Sequence, residues 1–235
     1  MTLLEAIKAR HSVRRYVDRP LEPATLEALE EAIDECNRAG GLHVQLVVDD
    51  PSAFRGLSSY GFFTGVQHYL VMAGPRAKDL DERVGYFGER LVLRAQQLGL
   101  NTCWVGLTYR KHPTRFTLLE GEKVACVIAI GYGATQGVQR KSKTAEAVSN
   151  VSTASPQWFR DGVEAALLAP TAINQQKFFF RLTDRTLDDG RSVVEATRLF
   201  SLFGYTEMDL GIARLHFEVG AGTGNFVFEG EEKLG

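Results

Sequence analysis

Apolar residues return at helical spacing through "TLLEAIKAR", which begins at Thr2, a side chain able to cap a first helical turn. "SVRRYVD" reads as extended and stops at "RPLEP", where prolines forbid a continuing helix. A second helix, "PATLEALEEAIDECNR", is predicted to start on Pro23 and stop at Gly40-Gly41. β-Branched "HVQLVVDD" and apolar "VQHYLVMAG" then have the length and make-up of strands. A long helix follows, roughly from Lys78 to Leu98, closed by Gly99. After it come strand "NTCWVGL", a short helix near Pro113, and strand "VACVIAIGYG".

From Ala134 to Ser155 the periodicity fades into a polar stretch, which reads as a linker. Helix and strand then recur through "PQWFRDGVEAALLA", "KFFFRLTD", the polar turn "LDDG", "YTEMDLGIARLHFEVGA" and "FVFEG". Intermixed helices and strands of this kind make the fold class α+β. The two halves also resemble each other faintly. Laying the segment from Pro23 over that from Pro156 puts Glu31 on Glu164 and Ala32 on Ala165 without a gap. "LRAQQLGL" likewise lies over "LHFEVGAG". The corners differ, "NRAGG" in the first copy and "PTAINQ" in the second.

Composition narrows the class without choosing a function. The 235 residues are enough for a substantial core, and 44% apolar with 24% charged residues is ordinary for a soluble globular protein. A net charge of −2 gives no general attraction to nucleic acid or an anionic membrane. Apolar runs fall short of the ~18 residues that span a bilayer, and the charged first helix is wrong for a secretory signal, so a cytoplasmic protein is expected. Cys36, Cys103 and Cys126 are too few and too scattered for a disulfide framework or a zinc site. No metal is expected.

Candidate chemistry lies in two basic segments and one corner. On extended "RHSVRR", Arg10, Ser12 and Arg14 alternate onto one face spanning roughly 13 Å, and guanidinium groups bind phosphate bidentately. His11 should face away from Arg10. In "QRKSK", Lys141 and Lys143 also alternate, directly after an apolar strand. "LAPTAINQQKFFF" passes from a helix through a proline-closed, amide-rich corner into an aromatic strand. "GAGTG" (220–224) and "GYGATQG" do not open helices, so both read as turns and not as dinucleotide fingerprints. Trp104 and the "KFFF" aromatics read as core, although one face of that strand could approach a ligand.

Together R-x-S-x-R after the first helix, "P-[ST]-x-x-N-x-Q" between helix and strand, "GLNTCWVGL" after a long helix, and K-x-[KR] after "IAIGYG" resemble the FMN-dependent nitroreductases. The likeness runs from residue 3 to about 228. Ordinary members are homodimers with FMN at the subunit interface, and both motifs stand in the same N-terminal region. Here the corner expected near Cys36 reads "CNRAGG", the intact corner lies at Ala169 to Gln176, and no second R-x-S-x-R follows residue 150. The chain is therefore similar to a smaller branch with two diverged tandem repeats, a fused pseudo-dimer around antiparallel-type sheets. That implies a first repeat over residues 1–140, a linker over 141–155 and a shorter second repeat over 156–235.

The resemblance implies FMN as cofactor and NADH or NADPH as electron donor. Arg10 and Ser12 match the phosphate and ribityl contacts, Lys141 and Lys143 would complete the phosphate cage, and Arg14 matches the basic residue near the pyrimidine edge. Val105 and Gly106 match the backbone that approaches the ring, while Pro170, Thr171, Ala172, Asn174 and Gln176 would line it. The implied activity is transfer of hydride through flavin to a small-molecule acceptor, a nitroaromatic or quinone, with no catalytic side chain required. The alternatives are a flavin-binding sensor or store without turnover, and a fold that no longer binds FMN. The expected state is a monomer or a weak homo-oligomer, with no nucleic-acid or membrane partner.

Overall fold

Thr2 begins the first element as a capping box: its hydroxyl accepts from Glu5 N at 3.2 Å, and its own N–H donates to Glu5 Oε2 at 2.7 Å. Helix α1, Leu3–Ala9, then ends on Arg10, whose backbone is already extended. The computed structural model describes residues 1–54, 62–109 and 115–231. The helix expected near Pro113 lies outside the described residues. The chain divides into two compact units, Met1–Gln139 and Arg140–Gly235.

In the first unit, α2 (Pro23–Gly40) starts on its proline and closes on Gly41, left-handed at φ 57°. Strands β1 (Gln45–Val47) and β2 (His68–Pro75), helix α3 (Leu80–Gln97), and strands β3 (Asn101–Val105) and β4 (Glu122–Gly131) follow. The sheet order is β1-β2-β4-β3, antiparallel at every pairing. β4 is central, and its buried run Cys126–Ile130 reads as continuously apolar because both faces are covered. Val71, Cys103, Val105, Val127 and Ala129 pack on one side with Val13, Tyr16 and Phe54. Ile130 packs on the other with Leu29, Ala95 and Leu100.

The extended "SVRRYVD" segment is stitched onto this sheet by backbone bonds. Val13 N donates to Thr102 O at 3.0 Å, Tyr16 N to Thr64 O at 2.9 Å and Val17 N to Tyr132 O at 2.9 Å. Buried Val13 and Tyr16 hold it to the core. Ser12 is thereby fixed beside Thr102 of β3, and the Arg14 and Arg15 backbone beside Thr64 and Ala134.

In the second unit, α4 (Gln157–Ala166), β5 (Phe178–Thr186), β6 (Ser192–Arg198), α5 (Thr206–Ala221) and β7 (Phe226–Phe228) follow in order. β5 and β6 are antiparallel, whereas β6 and β7 are parallel. The order α–β–β–α–β thus repeats that of α2–β1–β2–α3–β3. The directions agree as well, since β2 and β3 both run antiparallel to the β4 between them.

β6 is absent from the sequence reading. It forms because "LDDG" turns the chain back, with Leu187 N bonded to Arg191 O at 2.8 Å, and the returning segment pairs with β5, Val194 opposite Leu182 and Ala196 opposite Phe180, while Val193 and Val194 are buried. Those two phenylalanines are core, with Phe180 stacked on Phe217 at 4.5 Å between ring centroids. Residues 141–155, marked as a linker by composition, run along the second unit instead: Phe180 N donates to Val148 O at 2.9 Å, and Ser149 pairs with Phe180. "GAGTG" divides differently from its reading as a turn. Gly220 lies in the last turn of α5, and the turn begins at Gly222. Among the described residues no helix is long and apolar enough to cross a membrane, and no cluster is fit to hold a metal.

Candidate functional site

Arg10 is the most informative residue of the first unit. It is only 4% exposed, yet its Nε and Nη1 find no hydrogen-bond partner among the described residues. Burying a guanidinium in this condition is costly, so the fold tolerates here a cation that an anion would satisfy. Ser12 is half-buried and Arg14 exposed, consistent with one face that grades from interior to solvent. All three bear on the charge state of one buried side chain. Burial pushes the Cys103 thiol up, and Arg14, the Ser12 hydroxyl and Arg10 oppose that rise. His11 packs instead on the turn at Gly137. Val105 is buried at the end of β3 and Gly106 follows it half-buried. "GYGATQG" is only partly the turn expected: Gly131 ends β4, Gly133 bridges to Tyr16 and the chain bends at Ala134 and Thr135, fastened where Asn101 Oδ1 accepts from Gly133 N at 3.0 Å.

The second unit presents the amide-rich corner. After α4 the chain extends at Thr171 and makes one tight turn over Ala172–Asn174. Ile173, Asn174 and Gln176 are left-handed at φ 47°, 57° and 43°. Non-glycine residues in that region cost of order 1 kcal/mol or more each and persist only when the surroundings fix them. Here many bonds do so. Gln176 is 1% exposed; its N–H donates to Thr171 Oγ1 at 3.1 Å and its Nε2 to Leu167 O at 3.0 Å. Lys143 N donates to Gln176 Oε1 at 2.8 Å, and Lys143 Nζ to Gln176 O at 2.7 Å. Burial and then Lys177 hold the Lys143 ammonium below the usual lysine range. The Arg140 guanidinium donates to Ala169 O.

Asn174 differs from Gln176. Its Nδ2 donates to Lys141 O at 2.7 Å, but its buried Oδ1 has no partner among the described residues, and neither does Gln175 Oε1. Pro170 and Ala169 are buried, whereas Thr171 and Ala172 are half-buried and the Lys141 side chain is exposed. Gln176 and Lys143 build the corner; Asn174, Gln175 and Lys141 retain free hydrogen-bonding capacity.

Sequence reasoning passed over Asp209, on the first turn of α5. It is 3% exposed and accepts from Ala172 N at 2.9 Å and from Gln175 Nε2 at 2.7 Å. Burial raises it to about 6, against the opposing effects of those two donors. The one available signal was a carboxylate set between apolar Met208 and Leu210 near the start of the helix. Because its folded value exceeds its unfolded one, the stability it contributes is fully present below the unfolded value and lost as pH rises through about 6. Asp209→Asn should therefore gain stability over the wild type as pH rises through that range, by about 1–2 kcal/mol near about pH 8. Denaturant unfolding of both proteins across the range checks this. Equal differences at every pH would refute it.

A family model described as "Putative TM nitroreductase" matches residues 2–221. Among solved structures, a "putative nitroreductase" from Thermotoga maritima MSB8 is 23% identical at a TM-score of 0.63, covering 94% of this chain and 83% of its own. A "putative nitroreductase in complex with FMN" from Desulfovibrio desulfuricans is 17% identical at a TM-score of 0.49, covering 63% of this chain and 95% of its own. No curated protein matches.

Proposed function

The chain belongs to the family described as "Putative TM nitroreductase", with the nitroreductase-like α+β fold, and on that premise we propose that it is an FMN-binding oxidoreductase. It takes hydride from NADH or NADPH and delivers electrons to a small acceptor such as a nitroaromatic or a quinone. The observation that carries this reading is Arg10, a buried cation with two open N–H groups at the exit of α1, beside the Ser12 hydroxyl. A phosphate monoester supplies the anionic oxygens that such a guanidinium lacks.

In the first unit, Arg10 and Ser12 would hold the phosphate and ribityl chain, Arg14 would stand at the pyrimidine edge, and Val105 and Gly106 would bring backbone to the ring. In the second unit, Lys141 and Lys143 would add positive charge, and Pro170, Thr171, Ala172 and Asn174 would line the ring. Gln176 would support them from beneath, since its amide already serves Leu167 and Lys143. Asn174 Oδ1 and Gln175 Oε1 fit a ligand that offers N–H donors, as a flavin pyrimidine does. Bound FMN supplies the redox chemistry; these residues fix its position and charge environment, so none needs to act as acid or base. We also propose that the two units are diverged copies of one ancestral unit, supported by the repeated α–β–β–α–β order. R-x-S-x-R occurs once, so one FMN per chain is expected.

The test is an absorption spectrum of freshly purified protein, followed by anaerobic mixing with NADH or NADPH. Yellow protein with one flavin per chain that bleaches rapidly supports the oxidoreductase. Flavin retained without bleaching would favour a sensor or store. Protein that stays colourless after FMN is added would overturn the proposal.

A further inference from the structure

The corner at 171–176 carries three left-handed residues that local sequence does not favour, and helix α5 holds it from one carboxylate. Asp209 Oδ1 takes the Ala172 N–H and Oδ2 takes Gln175 Nε2, which also reaches Gly204 O at 3.0 Å. Ala172 and Gln175 flank Ile173 and Asn174, so fixing both ends of the turn fixes where Asn174 Oδ1 stands. We infer that Asp209 is a positioning residue for the flavin-facing corner: its ionised carboxylate clamps Ala172 and Gln175, and taking up a proton releases the clamp. This rests on the FMN reading above and adds to it a pH-dependent control.

The chemistry is specific to the charge state. An ionised carboxylate offers acceptors to both donors at once, and hydrogen bonds to it are stronger than neutral ones. A protonated one turns one oxygen into a donor facing Gln175 Nε2, itself a donor. The Gln175 amide must then rotate and give up Gly204 O. Burial, Ala172 and Gln175 set the titration of Asp209. Charged groups of the surrounding elements are engaged elsewhere. Glu207 on the same helix pairs with Arg198 of β6 at 3.3 Å, and Lys143 binds Gln176 O. His216, further along α5, faces Ala165 O at 3.1 Å.

The experiment follows amide resonances of the full chain without flavin, the Ala172 backbone N–H and the Gln175 side-chain NH₂, across about pH 5 to 8, alongside FMN affinity by titration over the same range. Both resonances should move together with a midpoint near about 6 in the wild type and stay still in Asp209→Asn. Glu207→Gln, which removes the neighbouring carboxylate, should titrate like the wild type. If only the ionised form holds the corner, FMN affinity should fall about tenfold from about pH 8 to about pH 5 in the wild type and stay level in Asp209→Asn. Resonances that do not titrate, or that titrate alike in Asp209→Asn, overturn the clamp. So does FMN affinity that ignores the titration. Should the wild-type resonances titrate while FMN binds at no pH, the FMN reading falls and the positioning role falls with it, leaving the Asp209 titration itself demonstrated.

Discussion

Replacing Arg10 with methionine should strip the protein of FMN while making the flavin-free chain more stable. Arg10 is buried, and its Nε and Nη1 are unpartnered among the described residues. In the folded apo protein this leaves a desolvated charge and two open donors, which together cost on the order of 1–3 kcal/mol. Methionine fills similar volume and asks for no partner, so the apo chain should gain stability of about that size. On the proposed reading the phosphate would lose two charge-assisted bonds at about 1.5–3 kcal/mol each, so FMN affinity should fall by roughly two to four orders of magnitude. Thermal unfolding of apo protein and a flavin titration read the two effects separately. A variant that binds FMN normally, or an apo chain that loses several kcal/mol, would show that Arg10 serves the fold alone. Few binding-site substitutions raise one quantity and lower the other, which makes the pair of signs diagnostic.

Gly220→Leu should give the largest loss of stability. A Cβ built on Gly220 would stand 2.5 Å from Asp161 O and 2.6 Å from Ala165 Cβ, both on α4. Gly162 makes the reciprocal approach, where a Cβ would meet Phe217 Cε2 at 2.9 Å and Ala221 Cβ at 3.0 Å. Small residues from both helices therefore let α4 and α5 touch nearly backbone to backbone. A leucine cannot be accommodated by rotating a neighbour's tip, because the obstacle is main chain. The helices must part, opening the Phe159–Phe217–Phe180 ring cluster between them. A cost of more than about 3 kcal/mol is expected, by overpacking and cavity formation together. α5 also carries Asp209, so the corner should loosen with it. Denaturant unfolding would measure the loss; a change below about 0.5 kcal/mol would mean that the helices do not meet as described.

Much of the fold was legible because its determinants are local. Thr2 and Glu5 cap α1, Pro23 and Gly41 bracket α2, and the apolar run of β4 announces a doubly covered strand; each signal lies within a few residues of its effect. β6 was not legible. Val193, Val194 and Ala196 are its only apolar residues, and they become a strand because β5 offers its edge, with Leu182 opposite Val194 and Phe180 opposite Ala196. Gly220 was read as part of a turn, since a glycine near a helix end looks the same whether it closes the helix or admits another.

The same division runs through the candidate site. Arg10, Ser12 and Arg14 could be placed on one face from the period of an extended chain, but that Arg10 is buried, Ser12 half-buried and Arg14 exposed was not legible there. Asn174 and Gln176 carry equivalent amides two residues apart, and nothing local separates them. Only the folded chain assigns the Gln176 amide to Leu167 and Lys143 while leaving Asn174 Oδ1 open. Asp209 was invisible because its partners lie more than thirty residues away, Ala172 by 37 and Gln175 by 34. Sequence by itself determined which segments become helix or strand and which residue types are on offer, because backbone preference and periodicity act over a turn or two. Tertiary structure decided which of those polar groups are spent on the fold and which are left for a ligand, because a hydrogen bond depends on distance in space and not along the chain.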